Sequence, residues 1–202
     1  MISLSEIDTT VKRASKAIGF SWGVAEEIGK SIRLLEMLGL SGLKNLNLYY
    51  KILKDKKFQN VTVISKSNIS KISYCPIISG INFLDQVYTL EELVEIEFEN
   101  VAFPILFIPF LSRASETIGK KIFLKIDEKE ILLNLNQSIY SNNLVGSIIQ
   151  KATKVKIKFL ENENSFNVQD WQEIYKLSEK TFVEETETLK TKAAGAGLTD
   201  ND

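Results

Sequence analysis

Histidine is absent from all 202 residues. Nucleophile pairs of the Ser–His or Cys–His kind, and zinc or iron sites built on imidazole, are therefore excluded from this chain. The chemistry left open belongs to one thiol, a few guanidiniums, amines and carboxylates. Cys75 is the single cysteine. As a nucleophile it needs its pKa lowered by a helix N-terminus or a nearby cation. As a structural residue it is a small buried hydrophobe, since free cysteine is among the most buried residue types. Both readings stay open.

Arginine is scarce. Of the 25 basic residues 22 are Lys, on a background rich in Lys, Ile and Asn of the kind that AT-rich coding DNA favours. Lysine runs then say little, and each arginine says more. Arg113 follows the most apolar run of the chain, at the expected exit of a central strand, where loops commonly hold ligand contacts. A guanidinium there suits a carboxylate or phosphate bidentately, with Ser112 and Ser115 beside it; a structural surface arginine is the alternative. Arg33 is expected to pair with Glu36 at helical spacing.

The stretch from Ala193 to Asp202 is unusual in composition. Gly195 and Gly197 let a backbone approach a ligand closely. Asp200 and Asp202 offer hard oxygens to a cationic group. A frayed, solvated terminus is the alternative. Cys75, Asp200 and Asp202 are thus the candidate reactive groups, and Arg113, Gly195 and Gly197 the candidate substrate contacts. No spaced ligand set marks a metal, and neither a phosphate-cradling loop nor a dinucleotide fingerprint occurs; the cofactor is left open.

Helices and strands must position these groups. Ser3 and Glu6 have capping-box spacing, and Ile7, Val11, Ala14 and Ile18 follow at helical intervals before Gly19. Ser21 opens a second helix with a stripe at Val24, Ile28, Ile32 and Leu35, ending near Gly39. A third runs from about Leu43 to Lys54. Val61 and Val63 alternate as a strand does. Residues 69–86 carry mixed turn signals and resist assignment. Val94, Ile96 and Phe98 alternate, and the apolar run Val101 to Leu111 reads as a strand covered on both faces. Ile122 to Leu135 is a hairpin around a polar turn at Asp127 to Glu130. A short helix over 144–152, a strand at Val155 to Phe159, and a last helix started by Asn167 complete the reading. The buried stripe of that helix is expected at Val168, Trp171, Tyr175 and Phe182.

Helices first, strands next and a closing helix predict an α+β fold with a mainly antiparallel sheet. One domain is expected over residues 1–190, with a Gly/Ala-rich acidic tail at 191–202. A formal net charge of −1 gives no electrostatic footprint for nucleic acid. No apolar run is long enough for a bilayer, and one cysteine offers no disulfide framework. A soluble cytoplasmic protein is the expectation.

Four segments resemble an uncharacterised bacterial family catalogued as a domain of unknown function: Ile18 to Gly29, Tyr74 to Pro76, Val101 to Phe110 and Gly195 to Asp202. That resemblance implies no activity and no catalytic residue. Ala25, Gly39, Ser41, Gly42 and Tyr49 are also similar in spacing to the N-terminal helices of type-2 malate/lactate dehydrogenases. Those enzymes carry a Ser-His-Gly motif. Here Ser41 meets Gly42 directly, so hydride transfer does not follow. The leading expectation is a small-molecule site for an anionic metabolite, in an enzyme or an enzyme's accessory subunit, with neither nucleic acid nor membrane as partner. The alternative is an interaction module whose tail docks on a partner subunit or a second copy.

Overall fold

The computed structural model describes residues 2–182. The chain divides into two compact units, the first Met1–Asn162 and the second beginning at Glu163. The first opens with three helices. Ser3 accepts the Glu6 amide at 3.1 Å to start α1, Leu4–Ile18, which Gly19 ends with φ 114°. Only glycine takes that conformation without a Cβ penalty. Ser21 caps α2, Trp22–Met37, and α3 spans Gly42–Leu53. Ala14 and Ile18 lie on the exposed side of α1, and its buried line runs through Val11 and Ser15 instead.

Residues 61–63 form no strand. Val61 is buried but its carbonyl is taken by the Asn82 side chain at 2.6 Å, and Val63 is exposed. The segment that resisted assignment holds α4, Pro76–Leu90, with Cys75 at its N-cap and Pro76 in its first turn. Proline suits that position because its missing N–H has no helical partner there.

β1, Ser67–Asn68, and β2, Glu95–Ala102, flank this helix in sequence. The apolar run then departs from expectation. Only Val101 and Ala102 belong to a strand; a 3-10 turn at Pro104–Leu106 leads into α5, Ile108–Ile118. Both prolines stand at helical starts, and a continuous apolar run does not by itself separate a buried strand from a buried helix. β3, Ile122–Ile126, and β4, Lys129–Leu133, make the expected hairpin. β5, Ile139–Ser141, follows, residues 144–150 are irregular rather than helical, and β6 is Lys151–Phe159.

The sheet order is β1-β2-β6-β3-β4-β5, antiparallel throughout except for the parallel β1–β2 edge. The α+β expectation holds. One face is apolar and fully buried, through Ile96, Phe98, Leu124, Val155 and Ile157. Phe83 of α4 stacks on Phe159, and Phe107 meets Phe98 edge-on at 5.6 Å. Helix α4 crosses α5 so closely that a Cβ at Gly80 would overlap the Phe110 ring. Helix α2 packs on both α4 and α5. The opposite sheet face is charged: Glu95, Glu97 and Glu99 lie across from Lys158, Lys156 and Lys154, and Lys154 Nζ meets Glu97 at 2.6 Å. The lysines of β6 therefore serve a solvated ladder of opposite charges.

In the second unit α6 spans Val168–Glu179, capped by Asn167, whose side chain accepts the Asp170 amide at 2.8 Å. The helix starts as expected but ends before Phe182, and its stripe is not buried. Val168, Trp171, Tyr175 and Phe182 are all exposed. No helix among the described residues is long and apolar enough to cross a membrane.

Candidate functional site

Three chain segments converge on Cys75. Backbone bonds tie residue 59 to 73–75, with Gln59 N to Ser73 O and Cys75 N to Gln59 O both at 2.9 Å. Tyr74 in turn bonds Asn100 and Ala102 at the end of β2. This pairing lays the chain after α3 alongside the start of α4, and a concave pocket of about 550 Å³ opens between them and the α1–α2 turn. Its walls are apolar, from Ile18, Phe20, Val24, Leu53, Phe58 and Ile78. Exposed Lys56 and Lys57 line it too, with Ser21 and Asn60.

The floor is a buried polar pair. Tyr49 Oη and Cys75 Sγ lie 3.1 Å apart, and the sulfur also accepts the Ile78 amide at 3.4 Å. Tyr49 is fully buried, its ring 5.2 Å from Phe58 and 5.8 Å from Phe103. Burial pushes the Cys75 thiol up, against the smaller opposing pull of the Ile78 amide and the Tyr49 hydroxyl. Burial likewise carries the Tyr49 phenol well above its ordinary range. Next to it, Tyr50 is pushed up to about 12 by burial and donates to Ser15, whose own hydroxyl donates to the Val11 carbonyl. The helix N-terminus sits at Cys75 as a reactive thiol requires, but desolvation outweighs it. A neutral thiol and a neutral phenol close the pocket, and neither is a nucleophile in that state.

Arg113 lies elsewhere. It is inside α5 rather than at a strand exit, because the apolar run before it turns into helix. Its guanidinium makes an ion pair with Glu27 of α2, which also binds Lys30 at 3.0 Å. Arg113 and Cys75 line different pockets. Gly195, Gly197, Asp200 and Asp202 fall outside the described residues. Arg33 and Glu36 do not pair: the Glu36 carboxylate accepts the Leu43 amide at 2.7 Å, serving the start of α3. Ser115 bonds the Lys120 carbonyl at 2.7 Å and is structural. Trp22 is 56% exposed, with Lys16 Nζ 5.6 Å above its ring, so it anchors no core. Among the described residues no group of acidic or cysteine side chains is placed to hold a metal ion.

Sequence reasoning missed Tyr49 as the partner of Cys75, and it missed Lys56 and Lys57 as pocket residues. Pro76 was the available signal for a helix start at Cys75. Nothing in the sequence marks the two lysines among so many others.

Residues 2–74 match the model of a family described as "Protein of unknown function (DUF3726)". The matched stretch carries α1, α2 and α3 and supplies most of the pocket wall; Cys75 and Ile78 lie just beyond it. No curated protein and no solved structure matches the chain.

Proposed function

We propose that this protein binds a small organic anion with an apolar body in the pocket above Tyr49 and Cys75. One observation carries the reading: a cavity of about 550 Å³ walled by six large apolar side chains, with two exposed lysines lining it. That volume falls within the roughly 300–1,000 Å³ of small-molecule sites, which pair apolar walls with a few polar groups. The apolar wall takes the body of the ligand by removing its surface from water. Lys56 and Lys57 attract its charge. The neutral Tyr49–Cys75 pair gives a floor that is polar but carries no charge, which favours recognition over chemistry. A cytoplasmic setting suits a single unpaired thiol.

Decanoate and phenylacetate are suitable ligands for the test, read by thermal shift, because binding to the native state alone raises stability. Decanoate should raise the Tm of the wild type in a saturable way. Lys56→Glu/Lys57→Glu, on exposed residues, should keep the starting Tm and lose most of that rise. Ile78→Trp should lose it by filling the cavity. An equal rise in all three proteins would remove the site.

A second reading, an interaction module, has its own observation. None of the residues of α6 is buried, and Phe166, Trp171, Ile174 and Leu177 are exposed together with the expected stripe. Val168, Trp171 and Tyr175 fall at the spacing of three and four that builds a seam between two helices. A second copy of the chain presents the same seam and is the partner this reading takes.

A further inference from the structure

We infer that Arg33, Arg113 and Lys30 form a second binding site, for the oxyanion group of a small metabolite, either phosphate or carboxylate. The three cations line one concavity of about 270 Å³ together with Leu34, Met37 and Gln137. The chain holds only three arginines against 22 lysines, yet two of the three face this one hollow. Lysine suffices for a solvated surface charge. A guanidinium differs in presenting a planar fork of donors that matches two oxygens at once.

The arrangement is partly built before any ligand arrives. Glu27 holds Arg113 and also binds Lys30 at 3.0 Å, which fixes two of the cations from α5 and α2 against one carboxylate. A guanidinium has five donors, so Arg113 keeps others after meeting Glu27. Arg33 makes no ion pair among the described residues, and the carboxylate three positions on, Glu36, is turned to the Leu43 amide. Gln137 is held in the β4–β5 turn with φ 60°. Its amide nitrogen donates to Glu116 and keeps a second N–H. Lys30 also meets Glu26 at 3.3 Å, so Arg33 is the cation of the hollow left to a ligand's charge, with Leu34 and Met37 to accept a short apolar portion. The site stands apart from the pocket over Cys75 and does not depend on it.

The scarcity of arginine makes the test simple. In ¹⁵N-labelled full-length protein the side-chain Nε–Hε signals number three, so Arg13 on α1 is an internal control. Titration with inorganic phosphate, against sodium chloride at equal ionic strength, should move the Arg33 and Arg113 signals together and saturably while Arg13 stays put. Succinate, titrated in the same way, separates the two oxyanion classes: the tighter binder identifies carboxylate or phosphate as the natural group. Arg33→Met, at an exposed position, should weaken the better anion about tenfold or more, as loss of a charge-assisted pair does, and Arg33→Lys should recover only part of it. Lys56→Glu/Lys57→Glu should leave this titration unchanged, so failure here and failure of the other pocket are told apart. No shift with either anion, equal movement of all three signals, or an Arg33→Met protein that binds as well as the wild type would each overturn the inference.

Discussion

At the scale of single residues, burial decides what the ionisable groups can do. Cys75 has the helix N-terminus that activates thiols elsewhere, but it is only 3% exposed, and the cost of a buried charge keeps it protonated. Glu27 shows the opposite balance. Burial raises its pKa, yet hydrogen bonds from Arg113 and Lys30 together hold it below the ordinary value of 4.5. A carboxylate depressed in the folded state contributes stability above its unfolded pKa and loses it as pH falls through the folded value. Acidification below about pH 4.5 should therefore erode the wild type partly through this group. Urea midpoints taken from pH 6 to pH 3 should fall less steeply in Glu27→Gln; parallel curves would show that the pair contributes nothing.

At the scale of elements, the crossing of α4 and α5 sets the frame for both pockets. Cys75 begins α4 and Arg113 lies midway along α5, so the spacing of these helices fixes where each group stands. Gly80 makes their contact possible, since any side chain there meets the Phe110 ring. Gly80→Ala should cost roughly 1–3 kcal/mol, the usual range for an overpacked core. Chemical denaturation measures it, and Phe110→Leu in the same protein should restore part of the loss. An alanine variant as stable as the wild type would mean that the ring moves aside freely.

At the scale of the whole molecule, the question is whether the chain acts alone. The second reading rests on α6, and it predicts a mass above the 22.9 kDa of one chain in light scattering at micromolar concentration. Trp171→Glu/Tyr175→Glu should return the mass to one chain, because charges on the seam oppose its burial. A wild type that is already monomeric across that range leaves ligand binding as the sole reading. The charged sheet face needs no partner to explain it. Glu97 of β2 meets Lys156 in register and Lys154 on the diagonal, and Lys156 also reaches Glu95.

Local signals wrote much of the fold directly into the chain. Ser3, Ser21 and Asn167 start helices where their side chains can reach free amides, and Gly19 stops one. Alternation in β2, β3, β4 and β6 marks strands with one buried face, and together these require a helical layer on an antiparallel sheet. The absence of histidine limits the chemistry without any coordinates. Other features have no local signature. The run from Val101 to Leu111 is buried whether helical or extended, so only its packing against the sheet chose helix, and with it moved Arg113 into α5. Tyr49 and Cys75 are 26 residues apart and meet through pairing of 59 with 73–75. Arg33 and Arg113, 80 positions apart, share a hollow because α2 packs on α5. A sequence specifies which face of each element turns inward; which faces then adjoin depends on contacts between residues far apart in the chain, and both pockets are made of such contacts.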